Sequence, residues 1–319
     1  MTYDEQLYLL IKNALAEDIG PGDYSTLSTI DAAAHGKAVL KIKQNGVLAG
    51  MQVAEKIFNY LQPNIIFTAF KKDGDKMEAG DTAFEVAAKI HTILQAERLV
   101  LNCMQRMSGI ATLTRKYTQK LNGYKTRLLD TRKTTPNFRL LEKEAVNIGG
   151  GCNHRYGLYD MIMLKDNHIY FCGGIEKAIK KAYDYVQTKK LNIKIEVETR
   201  SIADVQLVMQ TGKIDRIMLD NFTPKKITEA LRIINGKYET EASGTGKLVP
   251  GRAINKSKAR NKAPGRQSRN THRKLYWQYK RERRTGKKAQ NFLRHRRLGK
   301  RRGNTHTRRQ PQQSIAMVA

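Results

Sequence analysis

The segment from residue 127 to residue 242 alternates short apolar stretches with longer stretches of helical periodicity, and this rhythm constrains the fold most strongly. Strands are predicted near residues 127–130, 161–164, 193–197, 215–219 and 238–242. Helices are predicted near residues 137–146, 174–187, 201–211 and 224–234. Repeated strand–helix order favours a parallel sheet or barrel, because parallel neighbours need a crossover connection. The sequence therefore predicts α/β architecture, with binding residues at the carboxyl ends of the strands.

The preceding part of the chain is organised differently. Helices are predicted from apolar spacing over residues 3–17, 51–61 and 91–106. Strands are predicted over residues 38–43, 65–70 and 84–90. We therefore expect a mixed α and β unit before the strand–helix repeats.

Charged or hydroxyl-bearing side chains follow every predicted strand of the repeat region. In chain order they are Arg132 with Lys133, Lys165, Glu198, Asp220 and Ser243. Any one of them is also what a solvated loop would carry. Polar side chains after all five predicted strands favour a ligand site, because parallel strands present their carboxyl ends at one edge of the sheet.

Cations in this set suit a ligand with several negative charges. The run Asp130–Pro136 contains two adjacent cations, and the pair His154-Arg155 follows the triple glycine of residues 149–151. Arginine offers a planar fork to a carboxylate or phosphate, and lysine adds a point charge. Glycines let the backbone approach a ligand closely. A tight turn with solvated cations is the alternative interpretation.

Two acids, Glu198 and Asp220, belong to this otherwise cationic set. They could hold Mg²⁺, bind ribose hydroxyls or neutralise neighbouring cations. Strand periodicity places Glu196 on the same face as Glu198. The spacing therefore leaves open which of these two acids serves the site.

The net charge is concentrated in the last quarter of the chain. The formal charge is +30, yet residues 245–319 hold 24 Lys and Arg residues against one acid, whereas residues 1–244 hold 35 against 28. The first part has the charge balance of an ordinary globular protein. The second is a basic tail with little apolar periodicity, and such a composition predicts disorder.

The cysteines and the N-terminus indicate a cellular location. Three cysteines, an odd number without metal-ligand spacing, favour reduced thiols. The acidic N-terminus lacks the basic start of a signal peptide, and no apolar run is long enough to span a bilayer. These features predict a cytoplasmic protein without a membrane partner.

Nine segments in order along residues 1–244 resemble one protein family. They are Glu17–Asp23, Glu97–Asn102, Ser108–Thr112, Asp130–Pro136, Gly149–Arg155, Leu164–His168, Glu196–Glu198, Met218–Asn221 and Glu241–Gly244. On these residues the chain resembles quinolinate phosphoribosyltransferase, also called nicotinate-nucleotide pyrophosphorylase (carboxylating). Nine ordered segments are far more specific than one short motif.

The resemblance implies a fold, an assembly and a reaction. The fold is an N-terminal α/β sandwich, expected at residues 1–106, followed by an incomplete TIM-like α/β barrel at residues 107–244; the assembly is a homodimer with shared active sites. Quinolinate attacks the anomeric carbon of phosphoribosyl pyrophosphate through its ring nitrogen, pyrophosphate leaves, and one carboxylate is lost as CO₂. The product is nicotinate mononucleotide, a precursor of NAD, and Mg²⁺ is the implied cofactor.

The resemblance also implies roles for individual residues. The implied quinolinate pocket consists of Arg132, His154, Arg155 and Lys165, with His154 binding a carboxylate rather than acting as a general base. The implied catalytic residues are Lys133, Glu198 and Asp220, the two acids lying near the ribose and the metal, directly or through the substrate. Further implied substrate contacts are Thr131, Ser243 and Gly244. Arg98 corresponds to an arginine that reaches the site of a neighbouring subunit.

The resemblance is expected to end after Gly244, inside a motif. Where the family continues towards a last barrel strand that helps to bind phosphate, this chain continues into the basic tail of residues 245–319. The replaced segment predicts a weakened phosphate site, so the sequence predicts ancestry more firmly than activity.

Several alternatives remain open at this point. The tail is a frameshifted or misjoined end, a fused segment that binds RNA through its charge and aromatic residues, or an inert disordered extension. For the chain as a whole, the alternatives are a family paralogue with another substrate, of the molybdenum-uptake-associated type, and an inactive chain whose tail binds RNA. Nucleic acid is expected to bind only through the tail.

Overall fold

The computed structural model describes residues 1–244 and 315–318. Helix α1 (Tyr3–Ile19) confirms the first predicted helix. It begins at Thr2, whose hydroxyl accepts the backbone N–H of Glu5, while the Glu5 carboxylate accepts the N–H of Thr2. This reciprocal cap satisfies two N–H groups, and the helix buries one apolar face against the core.

An antiparallel sheet is the framework of the N-terminal half. Its strands are β1 (His35–Ile42), β3 (Ile66–Ala69) and β5 (Thr82–Lys89), with β5 in the middle. The other elements are α2 (Tyr24–Thr29), β2 (Gly46–Val47), α3 (Met51–Leu61) and β4 (Lys76–Met77). The three longer strands and α3 confirm the sequence predictions, whereas α2, β2 and β4 are too short for periodicity to reveal.

Helix α4 (Ile90–Thr118) extends twelve residues beyond its predicted end. Gly109 lies inside this extension, although glycine lowers helix stability by about 1 kcal/mol relative to alanine. Burial continues on the same face through Met107, Ala111 and Thr114, and this packing offsets the glycine. The proposed division between residues 1–106 and 107–244 therefore falls inside a continuous helix.

A parallel sheet forms the second half. Its strands are β6 (Met161–Leu164), β7 (Lys194–Thr199), β8 (Arg216–Asp220) and β9 (Glu239–Ser243), adjacent in that order. The helices of this half are α5 (Arg139–Ile148), α6 (Asp166–Cys172), α7 (Ile175–Lys189), α8 (Ile202–Thr211) and α9 (Pro224–Ile234). The architecture confirms the predicted α/β fold with an incomplete barrel. Helix α6 and a short 3₁₀ helix at Gln119–Leu121 were absent from the sequence prediction of this half.

The strand predicted at residues 127–130 is wrong in extent. This stretch forms a single parallel bridge between Leu129 and Cys152. The Cys152 N–H donates to the Leu128 carbonyl at 2.8 Å, and the Asp130 N–H donates to the Cys152 carbonyl at 3.1 Å. The bridge is short because its partner is an irregular loop, yet it still brings the Asp130 run beside the His154 loop.

The basic tail lies outside the described residues except for one strand. Strand β10 (Ile315–Val318) pairs antiparallel with the edge of β1. At these four residues the prediction of disorder is wrong, because an apolar, partly β-branched segment adds to a free strand edge. In the described part of the chain, no helix has the length and apolar character needed to cross a bilayer.

Candidate active site at the strand ends

Four predicted site residues lie at the carboxyl edge of the parallel sheet. Lys165 follows β6, Glu198 lies one residue before the end of β7, and Asp220 and Ser243 end β8 and β9. Asp220 pairs in register with Ser243, and the Lys165 Nζ lies 3.7 Å from the Glu198 Oε2. The structure therefore brings these residues together, as expected for neighbouring parallel strands.

Two carboxylates interact at this edge. Burial raises the pKa of Glu198; the Lys165 cation lowers it, and the Asp220 carboxylate raises it again. The Asp220 Oδ2 accepts a hydrogen bond from the Asn221 Nδ2 at 2.7 Å. Mg²⁺ prefers carboxylate oxygens, and two acids that repel each other gain from a shared cation. Glu198 and Asp220 therefore fit the implied metal ion.

Two guanidinium groups form the cationic wall of the site. Burial lowers the pKa of Arg155, and the charge of Arg132 lowers it further, so these side chains lie close enough to repel. The Arg155 Nη1 donates to the Met161 carbonyl at 3.2 Å. The Arg132 Nε is buried, and within residues 1–244 and 315–318 no group accepts its hydrogen bond. A buried donor without an acceptor beside a second cation favours an anion here.

His154 is held between two acids inside the sheet. Its Nε2 lies 2.8 Å from the Glu196 Oε2 and 3.3 Å from the Glu241 Oε2. The hydrogen bond to Glu196, followed by the nearby Glu241 carboxylate, raises the pKa of His154 to about 9. The ring is therefore an imidazolium at neutral pH and has no free lone pair with which to act as a general base.

This geometry changes the expectation for how His154 meets a ligand. A direct contact with a substrate carboxylate was expected, but its Nε2 already faces Glu196 and Glu241. A substrate carboxylate would have to contact the Nδ1 of His154, or interact with the positive charge of the ring from a distance. Ligand atoms of these three residues lie within 4.8 Å of one another, a spacing that a metal could use. However, the Arg216 Nη1 lies 3.5 Å from the Glu241 Oε2, so a network of ion pairs describes the group better.

A buried ion pair lies behind His154. The Lys143 Nζ is 2.6 Å from the Asp130 Oδ1, and both side chains are almost fully buried. The Asp130 Oδ1 also accepts the backbone N–H of His154 at 2.8 Å. Lys143 comes from α5, so this helix is connected to both halves of the cationic wall.

The same helix anchors the Asp130–Pro136 run. The Arg139 Nε donates to the Thr134 hydroxyl at 3.0 Å, and its Nη2 donates to the Arg132 carbonyl at 3.3 Å. The Glu142 Oε1 accepts the Thr135 hydroxyl at 2.8 Å and pairs with Arg106 at 2.7 Å. The run is thus a loop held by one face of α5, and its backbone is restrained before any ligand binds.

The triple glycine has a packing role rather than the expected approach to a ligand. A Cβ at Gly149 would lie 2.5 Å from the Thr114 Cβ and 2.6 Å from the Ala111 carbonyl oxygen. A Cβ at Gly151 would lie 2.7 Å from the Val146 Cγ1. At Gly149 and Gly151 the segment therefore passes against α4 and α5 where only glycine fits, and Gly150 has a positive φ of 89° that favours glycine.

The remaining predicted residues occupy the surroundings of the site. Thr131 and Lys133 are exposed in the same loop, and the Thr131 hydroxyl accepts the Lys133 N–H at 3.1 Å. Gly244 follows Ser243 so close to Asn221 that a Cβ would lie 3.0 Å from the Asn221 Cα. Arg98 lies exposed on α4, and no hydrogen bond or ion pair of the described residues joins it to the others.

Several functional residues escaped the sequence analysis. Glu196 was visible by alternation but could not be separated from Glu198, and Glu241 lay in a matched segment without a role. Asp130 lay in a matched segment without a role of its own, and Lys143 and Arg216 carried no signal, because the partners of all three are distant in sequence and are met only in the fold.

Comparisons with known proteins follow the same division of the chain. The model of the quinolinate phosphoribosyl transferase N-terminal domain matches residues 23–108, and that of the C-terminal domain matches residues 110–256. The second match extends twelve residues past Gly244, beyond the expected end of the resemblance.

Individual relatives agree with these matches. The chloroplastic nicotinate-nucleotide pyrophosphorylase [carboxylating] of Arabidopsis thaliana is 42% identical, over 76% of this chain and 73% of the relative. The probable enzyme of the same name from Bacillus subtilis is 40% identical, over 75% and 81%. The crystal structure of NadC from Streptococcus pyogenes is 39% identical and has a TM-score of 0.72, covering 77% of this chain and 86% of that one. The chain belongs to the quinolinate phosphoribosyltransferase family.

Proposed function

We propose that this chain transfers the phosphoribosyl group of phosphoribosyl pyrophosphate to quinolinate, with decarboxylation to nicotinate mononucleotide. The observation that carries the proposal is the pair of neighbouring guanidinium groups, Arg132 and Arg155, with the buried and unaccepted Nε of Arg132. A carboxylate of quinolinate would supply the missing acceptor. Membership in the family supports the same substrate.

The first chemical step is a displacement at the anomeric carbon. Arg132, Arg155 and Lys165 hold the carboxylates, and the imidazolium of His154 adds positive charge. The electron pair of the ring nitrogen forms the bond to the anomeric carbon, and the bond to pyrophosphate breaks with its electron pair on the leaving oxygen. The protein contributes by holding both reactants and by stabilising negative charge in place.

The second step is the loss of CO₂. Once alkylated, the ring nitrogen is positive and stabilises the electron pair that departing CO₂ leaves on the neighbouring ring carbon. A proton from water then replaces CO₂ on the ring. This step needs no general base, which is consistent with a protonated His154.

Mg²⁺ is part of the proposal. Glu198 and Asp220 would hold the ion directly or through the substrate, because they are interacting carboxylates at adjacent strand ends. When bound, the ion supplies positive charge to the departing pyrophosphate. Lys133, Thr131, Ser243 and Gly244 are proposed to contact the phosphoribosyl group beside them.

A homodimer completes the proposal. Arg98 is exposed on α4 and is not engaged with the other site residues, which supports its contact with the site of a neighbouring copy. The cytoplasmic location stays a prediction. The residues of the RNA-binding alternative belong to the basic tail, outside residues 1–244 and 315–318.

The test is product formation by the full chain. We expect nicotinate mononucleotide and CO₂ in equal amounts from quinolinate and phosphoribosyl pyrophosphate with Mg²⁺, and none with EDTA. Quinolinate should raise the thermal midpoint more than nicotinate, which lacks the second carboxylate. A shift without product at high enzyme concentration would overturn catalysis, and no shift with quinolinate would favour a paralogue with another substrate.

A further inference from the structure

A buried pair of opposite charges joins α5 to the loop beneath the cationic wall. The Lys143 Nζ lies 2.6 Å from the Asp130 Oδ1, with 2% and 8% of the two side chains exposed. Burying two charges costs free energy unless each is paired and hydrogen-bonded. Replacement by apolar residues would satisfy packing as well, so the pair calls for a role beyond stability.

The pair engages both backbone hydrogen-bonding groups of one residue, His154. The Asp130 Oδ1 accepts the His154 N–H at 2.8 Å, and the Lys143 Nζ donates to the His154 carbonyl at 3.0 Å. Neither charged side chain is part of the catalytic proposal above. Their contacts point to the backbone of the loop rather than to a ligand.

We propose that the Asp130–Lys143 pair is a positioning device that sets the two guanidinium-bearing segments against each other. Asp130 lies two residues before Arg132, and His154 lies directly before Arg155. The ion pair therefore restrains the backbone just before each of the two arginines. The inference rests on the proposed function, since it assigns both arginines to the same dicarboxylate. Asp130 and Lys143 are positioning residues because they act through the backbone.

Neighbouring contacts support the two segments from other points, while the pair alone bonds the His154 backbone in the described residues. Arg139 and Glu142 hold the later part of the run at Thr134 and Thr135. On the other side, the Leu129–Cys152 bridge ends just before His154. Lys143 therefore links α5 to the residue before Arg155, and Arg139 of the same helix bonds the residue after it, since its Nη1 donates to the Tyr156 carbonyl at 3.0 Å.

The test replaces Lys143 by methionine, which keeps the length of the side chain and removes its charge and donors. We expect the KM for quinolinate to rise about tenfold or more, with the KM for phosphoribosyl pyrophosphate changed by less than about twofold. Lys180→Met, the same change at an exposed position of α7, is the matched control and should leave both constants unchanged.

A double variant separates positioning from folding. Asp130→Asn with Lys143→Gln removes both charges but keeps an acceptor for the His154 N–H and a donor for its carbonyl. We expect the double variant to reverse most of the rise in the quinolinate KM that Lys143→Met causes. An unchanged KM in a folded Lys143→Met variant, or an equal rise of both KM values, would overturn the proposal.

Amide hydrogen exchange gives an independent measurement. Exchange of the His154 amide should accelerate in Asp130→Ala, because its acceptor is lost, and should not change in Lys180→Met. Unaltered exchange would overturn the proposal whether or not the chain is active. A wild-type chain without product but with a protected His154 amide would instead count against the proposed function alone.

Discussion

The two halves of the described chain bury different kinds of side chain, apolar in the first and partly charged in the second. The core around α4 consists of apolar side chains, with Phe58, Phe84 and Met104 fully buried. The parallel sheet buries Glu196 together with His154 and Arg155, while the apolar core of this half lies under α7, α8 and α9. Apolar burial stabilises by about 25 cal/mol per Å², whereas buried charge costs free energy unless paired. We therefore expect the first core to supply stability, and the charged interior to supply the proposed binding at some cost in stability.

The largest effect on stability is expected from Phe84→Ala. Phe84 is fully buried, stacked on Phe67 at 4.5 Å and packed edge-on against Phe58 at 6.2 Å. Its loss should lower the free energy of unfolding by about 3–5 kcal/mol. Urea denaturation measures this, with the exposed Phe70→Ala as control. A loss as small as that of the control would mean that the first core is not the stabilising region.

The counterpart in the charged interior is Arg132→Met. Because the Arg132 Nε has no acceptor in the described residues, we expect little change in thermal midpoint. The value of kcat/KM for quinolinate should fall by about 10²–10³, the usual scale for losing a charge-assisted contact. The kcat/KM of Arg132→Lys should lie between those of the wild-type chain and Arg132→Met. If Arg132→Met lost stability but kept its kcat/KM, the charged interior would contribute to stability rather than to binding.

Gly149→Ala tests the packing role of the triple glycine. Its Cβ would enter the space of Thr114 and Ala111, at a cost of about 1–3 kcal/mol in the free energy of unfolding. Denaturation and steady-state kinetics should show lower stability with an unchanged KM for quinolinate. A raised KM without loss of stability would restore the interpretation that these glycines face a ligand.

A pH series tests the paired histidine. The pKa of His154 rises on folding from its ordinary value of 6.5 to about 9, chiefly through the hydrogen bond to Glu196. A raised pKa contributes stability that is fully present below pH 6.5 and is lost as pH rises through about 9. The free energy of unfolding should therefore decrease across this window, and decrease less in Glu196→Gln. Equal slopes in the two proteins would show that His154 is not charged.

The smallest effect is expected on the surface of the N-terminal sheet. Lys37 and Glu85 form an ion pair at 2.9 Å, but 69% of the lysine side chain is exposed. Solvent screens such pairs, so Lys37→Met should change the free energy of unfolding by less than about 1 kcal/mol. A larger loss in urea denaturation would mean that surface charge contributes to stability in this half.

Much of the fold followed from local patterns. The strands β6 to β9 and the helices α7, α8 and α9 appear where the sequence predicted them, because short strands that alternate with helices form a parallel sheet against which each helix buries one face. The misses have local causes: α2 and α6 are short, and the continuation of α4 through Gly109 depends on packing. The stretch before Asp130 has strand-like residues but pairs only with a loop.

The candidate site was predictable in part. Lys165, Glu198, Asp220 and Ser243 were correctly placed at one edge, since parallel strands impose that arrangement. The partners of His154 could not be foreseen, because Glu196 and Glu241 are 42 and 87 positions away and meet it only inside the sheet. Nor could the glycine triplet be assigned, because its neighbours come from two helices.

The sequence by itself determined the α/β architecture, the family and the residue types at the strand ends, because these depend on periodicity and on ordered motifs. Only the tertiary structure decided that His154 is a buried imidazolium, that Arg132 keeps an unaccepted donor, and that Asp130 and Lys143 meet beneath them. The physical reason is that charge state and hydrogen-bond satisfaction depend on burial and on neighbours distant in sequence, which folding alone brings together.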